Sequence, residues 1–474
     1  MKPVKAVRSI LAGLYKSFRR FPVTILFSAG ACAILIVKSE MSGHAADGLI
    51  YSRLAMILSL GIFLSLCAKM YYERIVRRSR LKLVLLYSVT CLMLALYYVF
   101  LLNRIDMVSS TRYGVCIAVL ILAFLYIPYL WNRERYERYI IVIISGFFIT
   151  AICSGVLFGG LAAILFTVDK LLGITVASKV YYYTFLIVAF TFAPMYFLSG
   201  VPEYGQNVGS ENYPKLLKIL LLYIVMPLLT AYTAILYIYF IKIIATRQWP
   251  VGLVSNLVLW YAIIVTASIF FIAPIRAENR WGGLFSRWMP EAILPLLAMM
   301  FVSMGIRVNA YGITENRYYV LVLGIWITCI MIYFSSVKNL RNIVIPFTLS
   351  IIALLSVFGP LSSYSVSMYS QNMRLKSILV SNDMLKDGRI QPNPNVSDKD
   401  RSEVSRILDY FGSSHSYSEV RYLPRGFTTE NMKDVFGFGY ESTGSNSADR
   451  YFYYMNSSLG GPIDIAGYDY LIDG

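Results

Sequence analysis

Histidine is nearly missing from this chain of 474 residues, which contains only His44 and His415. Neither has a cysteine or a second histidine at the spacing of metal ligands, so the sequence predicts no zinc site. Neither lies in an apolar run, which argues against acyl transfer or serine hydrolysis within the membrane by a histidine base. We interpret both as solvated polar side chains, and we expect no catalytic residue, no metal and no cofactor.

Charged residues are also scarce, at 15% of the chain, whereas 57% of the residues are hydrophobic and the mean hydropathy is +0.61. A soluble domain would have about 45 to 50% apolar residues, interrupted by charges. The six cysteines all lie inside apolar runs and none follows residue 360, which excludes an exterior held together by disulfides. The composition therefore predicts a multi-pass membrane protein.

Eleven apolar runs are long enough to be considered as membrane spans. The first is short and resembles a signal peptide, but no clear cleavage pattern follows it directly, so we expect a retained span. The fifth contains three glycines and is expected to tilt or break, which makes the count least certain there. The runs are Phe21–Val37, Leu54–Tyr71, Leu83–Leu102, Gly114–Leu130, Ile140–Val168, Val180–Leu198, Leu216–Ile241, Leu253–Ile272, Ala292–Ile306, Tyr318–Phe334 and Ile343–Phe358.

The lysines and arginines are distributed unevenly between the two sets of loops. With a cytoplasmic N-terminus, the inside segments hold 22 of them and the outside loops hold 10. Positive charge resists translocation, so this bias predicts that orientation, and an odd number of spans then places the C-terminal segment outside the cytoplasm. Residues 1 to 20 mix six basic residues with apolar ones, which is typical of an amphipathic helix at the membrane surface.

The net charge of +17 does not indicate nucleic-acid binding, because it is confined to the membrane part. The segment after residue 361 has 11 basic and 14 acidic residues. The sequence therefore predicts the lipid bilayer as a partner, and we expect no binding of nucleic acid.

After Pro360 the composition becomes polar, so we divide the chain into a helical membrane domain (1–361), a helical extension with a linker (362–395) and a small soluble α+β domain (396–474). In the last, Ser397 is the predicted cap of a helix whose apolar face recurs every three or four residues. A short helix, Thr429–Phe436, is expected to stop at Gly437, and Arg450–Met455 and Pro462–Ile472 are predicted strands. We expect this domain to be incomplete.

The stretch Arg307–Trp326 is a short polar turn between two predicted spans. Gly312 supplies a backbone conformation that is closed to other residues, and Arg307, Glu315 and Arg317 are close enough to pair at the edge of the hydrocarbon. This turn also contains Tyr311. The leading interpretation is that its charged residues anchor the two helices at the membrane interface. The alternative is a turn that binds a ligand.

Two residues of the seventh run are candidates for a cavity. Tyr232 lies near mid-span, where its hydroxyl needs a hydrogen-bond partner, and Pro227 could break the helix as prolines do in transporters. Most prolines in membrane helices only bend the helix, so a packing kink is the competing interpretation.

Several patches resemble a known family: PMYFLSGVP (194–202), YIVMPLLTAYTAILYIY (223–239), WPVG (249–252), YGITENRYYVLVLGIW (311–326) and GPLSSYSVSMYSQNMRLKSIL (359–379). Together they resemble the uncharacterised bacterial multi-pass membrane proteins catalogued as domain of unknown function 4153, over roughly the last three quarters of the chain. The resemblance implies a bacterial cytoplasmic (inner) membrane location and a polar C-terminal extension. It implies no activity, cofactor or catalytic residue.

Three functions are compatible with the sequence. The first is a non-enzymatic envelope anchor or sensor whose C-terminal domain meets an envelope protein partner outside the cytoplasm. The second is a permease or a lipid-related flippase that uses the prolines and tyrosines of spans seven to ten. The third is a membrane transferase with Glu40 and Asp47 on the first outside loop, although solvated charge explains those two residues better.

Overall fold

The computed structural model describes most of the chain, namely residues 2–41, 45–75, 79–103, 105–130, 136–172, 174–203, 213–247, 253–337 and 340–441. The described chain is mostly helical, as the composition predicts. It divides into two compact units, Met1–Gln371 and Asn372–Gly474. The boundary falls inside a helix, ten residues beyond the composition change at residue 361.

The described part of the first unit is built of helices. In chain order they are α1 (Lys2–Arg20), α2 (Pro22–Glu40), α3 (Ala45–Tyr72), α4 (Arg80–Phe100), α5 (Met107–Tyr126), α6 (Tyr136–Leu171), α7 (Ser178–Ile187), α8 (Ala193–Ser199), α9 (Lys215–Ile219), α10 (Met226–Thr246), α11 (Leu253–Ile272), α12 (Arg280–Tyr311), α13 (Glu315–Ser336), α14 (Val344–Val357) and α15 (Ser363–Ser381).

Every predicted apolar run forms helix, and two of the runs contain a π-helical segment. A five-residue π-helical segment, Val188–Phe192, joins α7 to α8, and a six-residue one, Leu220–Val225, joins α9 to α10. Each lies just before a proline, Pro194 or Pro227, whose missing N–H cannot continue the α-helical ladder. Of the two expectations for the fifth run, the break is wrong, because α6 is continuous over 36 residues through its glycines, and the tilt stays a prediction.

Ten helices in the described ranges are long and apolar enough to cross a membrane, judged by length and composition. The eleventh predicted run forms α14, which has 14 residues. At 1.5 Å per residue it is about 21 Å long, shorter than the roughly 30 Å of hydrocarbon in a bilayer. The number of spans is therefore ten by this measure, and eleven stays a prediction.

The centre of the first unit is formed by α11 and α12. In the apolar windows of these helices, 61% and 50% of the residues are buried, compared with 11% for α4 at the periphery. On α11 the fully buried residues Val258, Ala262 and Val265 recur at the spacing of one helix face. They pack with residues of α10, α12 and α13 in one core cluster.

The segments that connect the helices contact one another at two opposite ends of the helical unit. At the Arg20 end, Phe21, Met70, Tyr136, Val201 and Ile343 share a second core cluster. At the opposite end, which we call the Arg112 end, Arg112 near the start of α5 donates to the Val357 carbonyl at 3.1 Å. Because α5 reaches the cluster of the Arg20 end through its last turn, it connects the two ends.

Helix α14 runs antiparallel to α5 between these ends. Just before it, Asn342 donates to Glu137 Oε1 at 2.7 Å, and Glu137 follows Tyr136 of the Arg20 end. Near the start of α14, the Phe347 ring lies 5.5 Å from the Tyr126 ring, whereas its last residue accepts the bond from Arg112. Although it is short, α14 therefore extends along most of a helix that qualifies as a span.

The second unit contains the end of α15, a hairpin of β1 (Leu385–Lys386) and β2 (Arg389–Ile390), α16 (Asp398–Ser414) and α17 (Met432–Phe436), with short 3-10 turns at Tyr417–Glu419 and Thr429–Asn431. As predicted, Ser397 caps α16 by accepting from the Asp400 N–H. The expected apolar face of α16 is buried and consists of Val404, Ile407, Leu408 and Phe411.

Gly437 ends α17 with φ +87°, which confirms the predicted stop. A Cβ there would lie 2.6 Å from the backbone nitrogen of Asn393, so this close approach of two backbones requires glycine. The predicted strands Arg450–Met455 and Pro462–Ile472 lie outside the described residues. Within residues 372–441, the strands are the two of this hairpin, and each has two residues.

The interpretation of His415 as a solvated side chain is wrong, because its side chain is 3% exposed. It lies beside the rings of Tyr410 and Phe411 and forms a 2.8 Å hydrogen bond between Nε2 and the Tyr410 hydroxyl. The fold buries this residue because it directly follows the last turn of α16. His44 lies outside the described residues.

Candidate functional site

The polar turn between α12 and α13 is built on Gly312. Its φ of +69° and ψ of 178° belong to a region of backbone space that is open essentially only to glycine. The Gly312 N–H continues the helical pattern by donating to the Val308 carbonyl at 2.8 Å. This conformation ends α12 and turns the chain into α13 within three residues.

Arg317 closes the last turn of α12. Its Nη1 donates to the carbonyls of Tyr311 at 3.1 Å and Gly312 at 2.7 Å, which are groups that the helix itself leaves unsatisfied. The guanidinium also lies 5.5 Å from the centre of the Tyr311 ring. A cation at a helix C-terminus is further favoured by the helix dipole, so Arg317 is an intramolecular clamp.

Glu315 occupies the first turn of α13 and is 9% exposed. A carboxylate at this position is stabilised by the unpaired N–H groups and the positive end of the helix dipole. Arg307 is half-buried one turn before Tyr311 on α12. The predicted ion pairing among Arg307, Glu315 and Arg317 stays a prediction.

The first part of α15 is seated on the backbone of this turn. The Ile313 N–H donates to Ser370 Oγ at 2.9 Å, and Gln371 Nε2 donates to the carbonyls of Ile313 at 3.0 Å and Tyr311 at 3.3 Å. A Cβ on Gly312 would lie 2.9 Å from Gln371 Nε2 and 3.2 Å from Ser370 Oγ. Glycine is therefore required for the contact as well as for the backbone angle. We call this contact the α15 seat.

The sequence did not single out Ser370 and Gln371 as partners of the turn. Gln371 is 60 residues from Tyr311, and helical periodicity gives no information about contacts at that separation. The one signal in the sequence was that both residues lie in the patch 359–379, which carries the family resemblance. In the structure, Gln371 is buried, at 3% exposure.

The connection from α14 to α15 is held by further side chains at the Arg112 end. The Tyr318 hydroxyl donates to the Leu361 carbonyl, and the Tyr319 hydroxyl is 3.1 Å from Ser363 Oγ. The Arg112 guanidinium lies 6.0 Å from the ring of Tyr364, and burial raises the pKa of Tyr364 above its usual value. Both sides of the connection are thus fixed to the helical unit.

Ser370→Ala provides a mild test of the α15 seat. The change leaves the partly buried Ile313 N–H without its acceptor, so we expect the protein to lose about 1 kcal/mol of stability. The measurement is thermal unfolding of purified protein in lipid nanodiscs. Ser377→Ala, on the exposed face of the same helix, is the control and should leave the midpoint unchanged. Equal midpoints for the two variants would contradict the seat.

Tyr232 and Pro227 belong to the core of α10 to α13. Tyr232 packs on the core cluster, with its ring 5.2 Å from that of Tyr261. Pro227 is the second residue of α10, directly after the π-helical segment. Nearby, the Tyr237 hydroxyl donates to the Ala292 carbonyl at 2.8 Å, between the two prolines of α12. Tyr237 is one of the tyrosines of the seventh run, but the sequence did not predict that it supplies this bond between helices.

A buried charge cluster lies at the Arg20 end. Arg20 Nε and Nη2 donate to the two carboxylate oxygens of Glu73 at 3.0 and 2.8 Å, and both side chains are 12% exposed. Arg20 also donates to the carbonyls of Val201 and Pro202. Lys69 Nζ lies 3.8 Å from Glu73. One guanidinium therefore links the end of α1, the end of α3 and the segment after α8.

Within the ranges that the structure covers, no group of three or more histidine, cysteine or acidic residues is arranged to hold a metal ion. The six cysteines are all free. The prediction that the protein has no metal or cofactor stays a prediction.

The residues of the turn and of the α15 seat lie within a region that matches a protein family. The family profile described as Domain of unknown function (DUF4153) matches residues 23–387. The chain belongs to this family. In this DUF4153 protein the match includes α2 from its second residue, the helices from α3 to α14, the turn and the whole of α15.

A relative of this DUF4153 chain is an uncharacterized protein of Pasteurella multocida, which is 25% identical over 259 residues. The alignment covers 54% of this chain and 43% of the relative, so the chain spans less than half of the relative's length. No solved structure matches the chain.

Proposed function

We propose that this DUF4153 protein is a non-enzymatic anchor or sensor of the bacterial inner membrane, whose helical unit holds the base of an extracytoplasmic segment that meets an envelope protein. The observation that carries the proposal is the α15 seat. The helix that leads into the second unit is fixed to the turn by three hydrogen bonds and by contact with Gly312. A glycine and two polar side chains are thus used to position a helix rather than to leave a cleft.

The path of α14 supports an odd number of crossings. Its start is tied to Glu137 at the Arg20 end and its last residue to Arg112 at the other end. The extended residue Phe358 then adds reach that a helix of 14 residues lacks. Together with the excess of lysine and arginine in the predicted inside segments, this path supports eleven crossings and a second unit outside the cytoplasm.

The anchor function is tested by photocrosslinking from the second unit in the full chain. A photoreactive residue at Tyr440 or Lys433 should give a crosslink to an envelope protein, and one at the lipid-facing Leu85 should not. The Ser370→Ala/Gln371→Leu variant, made in the same labelled chain, should reduce the crosslink. The proposal fails if the second unit gives no crosslink, or if the crosslink does not respond to loss of the α15 seat.

The permease or flippase alternative rests on a separate observation, the π-helical segments directly before Pro194 and Pro227. Such segments are frequent at functional sites. The test is scrambling of a fluorescent phospholipid between the leaflets of proteoliposomes. The anchor proposal expects the rate of protein-free vesicles. Faster scrambling that Tyr232→Phe or Pro227→Ala reduces would favour the alternative.

A further inference from the structure

Helix α1 has one face held by protein and one face left open. On the held face, Ser17 Oγ donates to the Met195 carbonyl at 2.8 Å, and a Cβ on Gly13 would contact Ser199 at 3.5 Å. At the edge of that face, Lys16 Nζ lies 2.9 Å from Glu203, and this bond and charge lower the pKa of the Glu203 carboxyl. These contacts fix α1 against α8, so the direction of its opposite face is also fixed.

The opposite face combines an apolar stripe with a row of cations. Leu11, Tyr15 and Phe18 are 60%, 65% and 51% exposed and recur at the spacing of one helix face. Arg8 and Arg19 are exposed next to them, on the side of the stripe that leads toward Lys16. The first acidic residue of the sequence is Glu40, so no carboxylate of α1 balances these charges.

The position of α1 relative to the hydrocarbon follows from the chain. Phe21 leaves the helical conformation with φ −125° and ψ 50°, and the candidate span α2 begins at the next residue. One residue cannot carry the end of α1 far from the membrane boundary. At that depth, an exposed apolar stripe can contact lipid tails, and the arginines beside it can contact lipid headgroups.

We propose that the open face of α1 is a binding surface for anionic phospholipids in the leaflet at the Arg20 end. The apolar stripe enters the acyl boundary, and Arg8 and Arg19 meet the phosphate groups. The charge balance distinguishes this surface from one for zwitterionic lipid, because cations near an anionic surface are attracted by its potential. The proposal does not depend on the anchor function.

The test is lipid titration of the full-length protein in detergent, followed by native mass spectrometry. Dioleoylphosphatidylglycerol is the anionic probe and dioleoylphosphatidylcholine the zwitterionic one. Each arginine near an anionic surface changes binding by about fivefold, so Arg8→Gln/Arg19→Gln should weaken binding of the first phosphatidylglycerol by about tenfold or more. Binding of phosphatidylcholine should not change.

The matched control neutralises two exposed cations of the hairpin, Lys386→Gln/Arg389→Gln, and should bind phosphatidylglycerol as the wild type does. Raising the salt concentration should also weaken phosphatidylglycerol binding by the wild type, because the interaction is electrostatic. Wild-type affinity in the Arg8→Gln/Arg19→Gln variant, an equal loss in the control, or binding that does not respond to salt would overturn the proposal.

Discussion

Replacing Glu73 by glutamine should lower the free energy of unfolding by about 3 to 5 kcal/mol, because the change leaves buried positive charge without its counter-ion. The Arg20 guanidinium donates two bonds to this carboxylate, and Lys69 lies within 4 Å of it. Both members of the Arg20–Glu73 pair are 12% exposed, so water can replace only a small part of the lost interaction. Thermal unfolding in lipid nanodiscs measures the effect.

A matched control for this prediction is Glu40→Gln. Glu40 forms a 3.1 Å salt bridge with Lys179, but the two side chains are 55% and 51% exposed. Exposed ion pairs contribute little to stability, so this variant should unfold near the wild-type temperature. Equal losses in the two variants would contradict the conclusion that burial gives the Arg20–Glu73 pair its importance.

Gly312→Ala should destabilise the protein by about 2 to 4 kcal/mol, from the strained backbone and from the hydrogen bonds of Gln371 that the methyl group displaces. The new Cβ would lie 2.9 Å from Gln371 Nε2, at a φ of +69°. Thermal unfolding again provides the measurement.

Gly305→Ala on the same helix α12 is the control, because a Cβ there meets nothing within 4 Å. Alanine is a better helix former than glycine, so this variant should be as stable as the wild type or more stable by up to about 1 kcal/mol. Equal unfolding midpoints for the Gly312→Ala and Gly305→Ala proteins would contradict the α15 seat.

The membrane helices could be predicted from the sequence because length and hydropathy alone decide them. The eleventh run was predicted at Ile343–Phe358 and is observed as α14, one residue shorter at each end. What the sequence could not supply is where its two ends lie. That information comes from Asn342 and Arg112, whose partners are 205 and 245 residues away.

The polar turn could be predicted only where it depends on a local property of the chain. Gly312 could be named because a polar turn between two spans needs a positive φ, which is a local property. The two carbonyls of its own turn to which Arg317 donates were not predicted, and its predicted ion pairing stays a prediction. The contacts of Ser370 and Gln371 depend on the long-range packing of α15, about which helical periodicity gives no information.

The error at His415 has a different origin. The sequence around it is polar, and polar surroundings in the chain predict a solvated side chain. In the fold, the residue follows the last turn of α16 and lies against two aromatic rings. Neighbours in space, rather than neighbours in sequence, decide its burial.

The measurement that tests the account most directly compares two reporter fusions that differ by α14. One fusion follows Arg341, before α14, and the other follows Gly388, in the turn between β1 and β2. Each is made with alkaline phosphatase, which is active outside the cytoplasm, and with green fluorescent protein, which fluoresces inside it. We expect fluorescence without phosphatase activity after Arg341, and phosphatase activity without fluorescence after Gly388. If both fusions report the inside, α14 does not cross the membrane and the extracytoplasmic anchor is contradicted.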